Sequence, residues 1–331
     1  MTRRPLSLVL LLFLVLALLT SCTPAKHTAV LYGKMNTDVF ITLYGDGADK
    51  TAEELVSDCE ALLDEMERTL SRTDAAAELA AVNASRETTV TLSDPLTEML
   101  RRALSLAAET DGAFDPTAGA LSVLYDITGN TPLPPDPAAL AEARATVGYT
   151  ALSLEGNILS RPVGTVLDLG AIAKGHAASV LVEYLLAEGV SGGILSLGGN
   201  VATFGSKPSG EPYRVAVRAP EGGYLGELSL SGVAFASTSG AYERFRVGSD
   251  GKPYHHIFDP KTGKPADAGL ASVTVVSRDG ARADALSTAL YVMGYEEAIA
   301  FWEDSDRDFD MILVCEDGKT FVTPALAFEP A

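Results

Sequence analysis

The stretch LDLGAIAKG, residues 167–175, joins a short apolar segment to a helix. We predict that this helix begins near Ala171 and ends at Gly189. The N-terminus of a helix exposes free N–H groups and partial positive charge, which suits a phosphate group. Lys174 lies in the first turn, where a cation disfavours the helix, so its position indicates an anionic partner. A surface lysine after a tight turn is the alternative, and the Gly-Lys-Ser/Thr order of a Walker A loop is absent.

Strands and helices mix on both sides of this stretch without strict alternation. This order favours an α+β (mixed α/β) fold, with mixed sheets and packed helices, over a doubly wound parallel sheet. Helical spacing of apolar residues predicts helices over residues 51–69, 94–109, 281–293 and 296–303. The predicted strands are residues 29–32, 39–44, 152–154, 158–160, 193–197, 213–217, 225–230, 271–277, 311–315 and 320–323.

The segment TDGAFDPT, residues 110–117, interrupts the periodic pattern with a glycine and a proline. These residues mark a loop, and the loop offers backbone N–H groups next to Asp115. A helix exit followed by a cap for the next helix would produce the same pattern. The segment by itself therefore indicates a candidate ligand loop without deciding for it.

The segment ADALST, residues 283–288, places Asp284 and Thr288 four residues apart, on one face of a predicted helix. A carboxylate and a hydroxyl present two hard oxygens, the ligands that Mg²⁺ takes when phosphates and water complete its shell. A helix cap at Asp284, with Thr288 bonded back to the helix, is the alternative.

Two of the four histidines, His255 and His256, stand together inside the polar segment of residues 236–263. A histidine beside such a loop can deprotonate a hydroxyl nucleophile near neutral pH. The sequence FDPKTG that follows them, residues 258–263, is also a good turn, so a purely structural role for the segment stays open.

The first residues predict a secretory lipoprotein signal. Two arginines precede an apolar run over residues 8–19, which is shorter than the ~20 residues that span a bilayer core. The order LTSC, ending at Cys22, is similar to a bacterial lipobox, whose cysteine is lipidated; an ordinary signal with an incidental cysteine is the alternative. We expect a signal peptide over residues 1–21, a lipidated Cys22 with a tether over residues 22–28, and one domain over residues 29–331 at the extracytoplasmic face of a bacterial cell membrane.

The composition limits the partners. The chain has 25 Lys and Arg against 44 Asp and Glu, a formal net charge of −19. A surface this acidic excludes nucleic-acid binding through phosphate contacts. An anionic substrate must therefore meet local positive charge from a metal ion, a lysine or a helix N-terminus. The other cysteines, Cys59 and Cys315, could form a disulfide or remain buried thiols, and the sequence leaves both open.

Six collinear segments resemble the bacterial ApbE family of FAD:protein FMN transferases. The likeness begins at Met35, extends over nearly all of residues 29–331, and includes the lipoprotein start. It implies an ApbE-like fold with an FAD site between two lobes. The segments are GAFDPT at 112–117, DLGAIAKG at 168–175, LGGN at 197–200, TSGAY at 238–242, HIFDPKTG at 256–263 and ADALST at 283–288.

The resemblance also implies roles for individual residues. His256 matches the histidine that the family uses as general base. Mg²⁺ would be held by Asp284, Thr288 and the carbonyl of Ala171. FAD would be contacted by Met35, by the backbone of Ala113, Phe114 and Asp115, and by Asp168, Lys174 and Phe258.

Two positions depart from the family pattern. Asn36 stands where a glycine usually follows the methionine, which could narrow the approach to the flavin. His176 replaces a common tyrosine, and together with His255 it leaves the choice of base open.

The activity that the resemblance implies is a Mg²⁺-dependent transfer of the FMN part of FAD to a Thr or Ser hydroxyl, with release of AMP. FAD is then a substrate, and the acceptor is an extracytoplasmic protein of an electron-transfer complex. Two alternatives keep the same site. Water could replace the hydroxyl, as in a Mg²⁺-dependent FAD pyrophosphatase that gives FMN and AMP, or the chain could be a non-enzymatic FAD-binding lipoprotein.

Overall fold

The computed structural model describes residues 25–331. The predicted signal peptide at residues 1–21, the lipidation site Cys22 and the start of the tether lie outside the described residues. The first strand, β1 (Lys26–Lys34), begins earlier than predicted. Lys26, His27 and Thr28 pair with the next strand, so the last three residues of the predicted tether belong to a sheet.

Helices and strands mix along the described chain, as the sequence predicts for an α+β fold. The α-helices of residues 25–331 are α1 (Ala52–Leu70), α2 (Glu78–Ala84), α3 (Asp94–Glu109), α4 (Gly119–Tyr125), α5 (Pro137–Ala145), α6 (Ala173–Ala187), α7 (Gly280–Met293) and α8 (Tyr295–Asp304). The further strands are β2 (Thr37–Tyr44), β3 (Thr89–Thr91), β4 (Ser153–Glu155), β5 (Ile158–Ser160), β6 (Gly192–Leu197), β7 (Asn200–Gly205), β8 (Tyr213–Arg218), β9 (Tyr224–Leu230), β10 (Ala234–Gly240), β11 (Phe245–Val247), β12 (Pro253–His255), β13 (Phe258–Asp259), β14 (Lys264–Pro265), β15 (Leu270–Ser277), β16 (Asp310–Cys315), β17 (Thr320–Val322) and β18 (Phe328–Pro330).

An eight-stranded sheet forms the centre of the structure, in the order β1-β2-β6-β7-β10-β15-β16-β17. Each of these pairings is antiparallel, which excludes the doubly wound alternative. The turn between β6 and β7 contains Gly198 and Gly199, with φ of 47° and 84°. Two consecutive left-handed residues are what a tight hairpin turn needs, so the glycines of the LGGN segment have a structural reason.

Helices cover one face of the central sheet and a small sheet of β18, β9 and β8 lies against the other. Helix α7 is buried on two sides. Leu286 and Leu290 pack in the core beneath the central sheet, whereas Ala285 and Ala289 pack in a second core with α3. Because α7 lies between two cores, the polar side chains on it have to find partners inside the protein.

The polar segment that begins at residue 236 is not a loop throughout, because β10 occupies its first part. Strand β10 lies inside the central sheet, between β7 and β15. Its sequence, AFASTSG, lacks the apolar alternation by which strands are predicted. Ser237 and Ser239 instead direct their hydroxyls to Ser287 of α7, at 3.3 and 2.8 Å.

Helices α6 and α7 approach each other closely enough to require glycine. A Cβ atom built on Gly175 would lie 2.0 Å from the Gly280 carbonyl oxygen, and one on Gly280 would lie 2.3 Å from the Gly175 oxygen. These contacts are to backbone, which cannot rotate away. The close approach places the start of α6 directly against the first turn of α7.

We expect Gly175→Ala to destabilise the protein by about 3 kcal/mol, the upper part of the range for overpacked positions, because the two helices must separate. Urea unfolding gives this free energy. Gly318→Ala is the matched control: φ there is 87°, and the added Cβ would meet open space. It should cost only about 1 kcal/mol, from backbone strain alone. Equal losses in the two variants would contradict a steric role for Gly175.

Within residues 25–331, each helix is too short or too polar to cross a bilayer. The two cysteines of this region are free thiols, so the disulfide that the sequence left open is not formed. Cys59 is buried in the core under the central sheet, and burial raises the pKa of its thiol to about 12.

Candidate active site

A groove of about 960 Å³ lies between the central sheet and the helices α1, α4 and α6, within the size range of small-molecule sites. The four segments that the sequence singled out converge on it. Every residue predicted to contact FAD, to hold the metal or to accept the proton lines this groove: Met35, Ala113, Phe114, Asp115, Asp168, Ala171, Lys174, His256, Phe258, Asp284 and Thr288.

Asp284 is a buried carboxylate at the floor of the groove, only 4% exposed. Its Oδ1 accepts hydrogen bonds from Asn200 Nδ2 and Ser237 Oγ, both at 3.1 Å. Its Oδ2 accepts the Gly175 N–H at 2.9 Å. The N-cap of α7 is Asp279, so the alternative that Asp284 caps this helix is wrong. Three surrounding elements, β7, β10 and α6, thus hold the carboxylate in one orientation.

The Ala171 carbonyl just before α6 is also unpaired within residues 25–331. Gly175 lies in the first turn of α6, where N–H groups have no acceptor within the helix, and its N–H donates to Asp284. No N–H or O–H among the described residues donates to the Ala171 carbonyl. Thr288, one turn after Asp284, has its Oγ1 within 3.2 Å of Ser239 Oγ.

These oxygens fit a hard cation such as Mg²⁺. One ionised carboxylate, one carbonyl without a donor and one hydroxyl leave several coordination positions for phosphate and water. Within residues 25–331, no group of three or more His, Cys, Asp and Glu side chains is placed to hold a metal ion by itself. A metal ion at these oxygens would need further ligands from the substrate and water.

Lys174 places a positive charge beside this carboxylate. Its Nζ donates to the Gly170 carbonyl at 3.1 Å and lies 4.0 Å from Asp284 Oδ2. The N-cap position of α6 is Ile172, which makes no side-chain hydrogen bond to the helix. Of the N–H groups in the first turn, Ala173 donates to the Leu169 carbonyl and Gly175 to Asp284, which leaves the Lys174 N–H, among the described residues, for an anion in the groove.

The two adjacent histidines have opposite environments. His255 is buried, and its Nε2 lies 3.0 Å from the Ala266 carbonyl, to which it must donate because a carbonyl only accepts. Its Nδ1 accepts the Ile257 N–H at 3.3 Å. Both ring nitrogens of His255 are occupied by the fold, so this histidine is not available as a base.

His256 is half-buried and faces the groove. Its Nδ1 donates to the Arg244 carbonyl at 3.2 Å, which leaves Nε2 with a free lone pair. Burial lowers the pKa of His256 to about 4, and the positive charges of Arg244 and Lys174 act in the same direction. The ring is therefore neutral at physiological pH. His176 is not among the groove residues, so it does not compete for the role of base.

The loop before α4 uses the carboxylate of Asp115 for its own structure. Asp115 Oδ1 accepts the Thr117 N–H at 2.8 Å and the Thr117 hydroxyl at 2.6 Å, and Oδ2 accepts the Tyr149 N–H at 2.9 Å. With its oxygens engaged, Asp115 can offer a ligand its backbone only. The backbone contacts to FAD at Ala113, Phe114 and Asp115 stay a prediction. Helix α4 begins after Ala118 rather than after Asp115.

Three further groove residues, Phe258, Met35 and Asn36, also have roles in the fold. Phe258 is 8% exposed, and its ring centroid lies 4.9 Å from that of Tyr125, which leaves mainly its backbone for a ligand. Met35 and Asn36 form the turn between β1 and β2 with φ of 54° and 57°. Asparagine tolerates this left-handed conformation better than most residues, so Asn36 keeps the turn although it lacks the freedom of glycine.

A sequence model of the ApbE family matches residues 35–313. The chain belongs to the ApbE family. This match includes all the groove residues named above, from Met35 to Thr288. The resemblance inferred from six short segments is confirmed.

Relatives and solved structures cover most of the chain. The FAD:protein FMN transferase of Treponema pallidum is 36% identical over 258 residues, which is 72% of this chain and 71% of that protein. That of Vibrio cholerae is 30% identical over 311 residues, 92% of each. The apo flavinyl transferase ApbE of Pseudomonas stutzeri has a TM-score of 0.82 at 30% identity, covering 93% of this chain and 97% of that one. The ApbE protein of Thermotoga maritima has a TM-score of 0.84 at 28% identity, with 91% and 97% covered. The α+β, ApbE-like fold is confirmed.

Sequence reasoning missed several groove residues of this ApbE-family chain. Glu67 accepts the Met35 N–H at 2.8 Å, and Glu243 lines the groove with its pKa raised by burial. Arg72 binds Asp168, with Nε 3.0 Å from Oδ2. Glu67 lies in the last turn of α1 and Arg72 just after the helix, both outside every motif, and no sequence signal pointed to them.

Arg72→Ala should weaken FAD binding about tenfold, the usual effect of losing one hydrogen bond to a charged group. The reason is that Arg72 holds Asp168, and with it the adjacent loop, in place. Asp168 also accepts the Gly170 N–H at 2.9 Å, so the Arg72 pair holds the loop that leads into α6. Quenching of flavin fluorescence measures the affinity. Arg101→Ala, which removes an exposed ion pair with Glu98, is the control. An affinity equal to that of the control would rule out the positioning role.

Proposed function

We propose that this chain is a Mg²⁺-dependent FAD:protein FMN transferase. FAD is the substrate, a Thr or Ser hydroxyl of an acceptor protein receives FMN, and AMP leaves. The observation that supports this most strongly is the convergence of Asp284, Lys174 and His256 on one groove. Oxygen ligands for a metal, a fixed cation and a neutral base are the parts that phosphoryl transfer requires.

In this proposal Asp284, Thr288 and the Ala171 carbonyl hold Mg²⁺. When bound, the ion supplies positive charge for the phosphate oxygens and helps to orient the pyrophosphate. Lys174 and the start of α6 add fixed positive charge on the same side of the groove. This local charge is what allows a chain of net charge −19 to accept a dinucleotide with a charged pyrophosphate.

His256 takes the proton. The acceptor hydroxyl approaches Nε2, gives up its proton to that nitrogen, and its oxygen attacks the phosphorus nearer the flavin. A P–O bond to the acceptor forms as the P–O bond to AMP breaks, and FMN remains on the acceptor as a phosphoester. The Arg244 carbonyl holds the Nδ1–H and so keeps Nε2 directed to the reacting oxygen.

A denaturing gel tests the proposal. The chain is incubated with FAD, Mg²⁺ and extracytoplasmic proteins of the source bacterium, and the gel is scanned for flavin fluorescence. We expect a covalently fluorescent acceptor band and an equal amount of AMP. Free FMN with AMP and no band would instead indicate an FAD pyrophosphatase. FAD recovered intact after long incubation would indicate a flavin-binding protein and exclude the transferase.

We further propose that the chain acts as a lipoprotein at the outer face of the cell membrane, where its acceptor is a subunit of an electron-transfer complex. The support is the sequence alone: the short apolar run over residues 8–19 and the LTSC segment that ends at Cys22. Cells grown with labelled palmitate should label the chain, and Cys22→Ala should abolish the label and release the protein from membranes. A Cys22→Ala chain that still takes up label would exclude this site.

A further inference from the structure

The hairpin of β11 and β12 starts and finishes at the groove. Arg244 precedes β11 and His256 follows β12, and both line the cavity. The two strands form a sheet of their own, so one edge of β11 is covered by no other strand of residues 25–331. An uncovered edge beside a candidate base is unusual enough to require an explanation, because proteins generally protect such edges.

The hydrogen bonds of the hairpin show which backbone groups are free. In an antiparallel pair, successive residues direct their N–H and C=O alternately to the partner strand and away from it. The residues just before and just after β11 are bonded to the opposite strand, at 3.3 and 2.9 Å. Arg246, in the middle, therefore faces β12. Phe245 and Val247 direct their N–H and C=O groups to the free edge.

The side chains beside this edge are apolar and exposed. Phe245 is 53% exposed and Val247 is 63% exposed. Being two residues apart on a strand, they lie on the same face. Arg246 fixes the strand, since its guanidinium donates to the carbonyls of Asp126 and Thr131 at 2.9 and 2.7 Å. The edge is thus a rigid template for an extended peptide that has apolar residues at alternate positions.

We propose that the free edge of β11 is the docking site of the acceptor protein. An extended acceptor segment pairs with Phe245 and Val247, and continuing along the edge past Arg244 it brings its Ser or Thr hydroxyl to His256. This inference rests on the proposed function, which requires a protein segment at the mouth of the groove. The continuity of β11 with the groove selects the acceptor over a second copy of this chain, which would cover the edge without supplying a substrate.

Two variants test the docking edge with the acceptor protein that the gel assay labels. Phe245→Asp places a charge in the apolar contact, and Val247→Pro removes an N–H that points only to the free edge. Each should raise the KM for the acceptor at least about tenfold, the effect of losing one central contact, and leave kcat and FAD affinity unchanged. Tyr224→Asp, at an aromatic residue that is 68% exposed on β9 of a separate sheet, is the matched control.

Each outcome decides the proposal. If the wild-type chain labels the acceptor and both variants have the wild-type KM for it, the docking site is wrong. The proposed transferase function is not affected by that result. A wild-type dimer that Phe245→Asp converts to a monomer, again with unchanged KM, assigns the edge to a second copy and also overturns the proposal. If the wild-type chain labels no acceptor protein, both the proposed function and the docking site are wrong. Thermal unfolding shows that each variant is folded overall, and an unchanged kcat shows that the hairpin still holds His256 in place.

Discussion

Asp284→Asn is expected to lower the rate of FMN transfer by at least about 100-fold at limiting Mg²⁺, the scale on which removal of one charge-stabilising group acts. The carboxylate is the one ionised oxygen ligand among the residues assigned to the metal. Asparagine keeps the shape of the side chain and removes the charge. The measurement is the initial rate of covalent flavin incorporation as a function of Mg²⁺ concentration.

The choice of asparagine over alanine follows from the hydrogen bonds. Asp284 accepts from Gly175, Asn200 and Ser237. Alanine would leave all three buried donors without an acceptor, at about 1–3 kcal/mol each, whereas asparagine keeps one acceptor oxygen and so loses fewer of these bonds. Thr288→Ser and Thr288→Val form a matched pair, because serine keeps the hydroxyl and valine removes it. Activity in the serine variant alone would support the ligand role, and normal transfer by Asp284→Asn would contradict the metal site.

His256→Gln is expected to retain FAD affinity and to lose between about 100-fold and 10,000-fold of the transfer rate, the contribution of a general base. Glutamine is of similar size and stays polar and neutral, but it cannot take a proton. Single-turnover transfer, measured beside a flavin-binding titration, separates the two effects. His255→Gln is the comparison, and it should lower stability more than chemistry because both nitrogens of His255 bond within the fold. A rate loss confined to the His255 variant would reverse the assignment.

The pH dependence follows from the same residue. The folded pKa of His256, about 4, is below its ordinary value of 6.5, so the unfolded chain binds more protons between these values. The stability that this residue contributes is therefore complete above pH 6.5 and is lost as the pH falls toward 4. Because the ring stays neutral in the free enzyme, kcat/KM should show no loss from His256 between pH 8 and 6. A sharp fall in kcat/KM as the pH drops through 6.5, present in the wild type and absent in His256→Gln, would contradict the lowered pKa of His256.

Much of the fold could be predicted from periodic segments, but β10 could not. Its apolar alternation is missing because Ser237 and Ser239 face α7, where Ser287 satisfies their hydroxyls inside the protein. Strand predictions rest on apolar residues facing a core, and this strand faces a polar network instead. The sequence therefore indicated a loop at the position where the sheet contributes to the site.

Site residues that fall in sequence motifs could be predicted. Roles that depend on tertiary hydrogen bonds could not. The spacing of Asp284 and Thr288 placed both on one helix face, and the structure agrees. The residue types alone could not choose between His255 and His256, and only the family resemblance favoured His256. The physical reason depends on the carbonyls of Ala266 and Arg244, which the fold brings to the two rings. Interactions of this kind become visible only when the tertiary contacts are known.

The central claim is that the groove neutralises the pyrophosphate of FAD and delivers its FMN half to a protein hydroxyl. The most direct measurement is to quantify AMP and protein-bound FMN in one sample of wild-type chain, FAD and acceptor, with Mg²⁺ and with a chelator. We predict equal amounts of the two products with Mg²⁺ and neither product with the chelator. Intact FAD in the Mg²⁺ sample, or equal transfer in the presence of the chelator, would contradict the account.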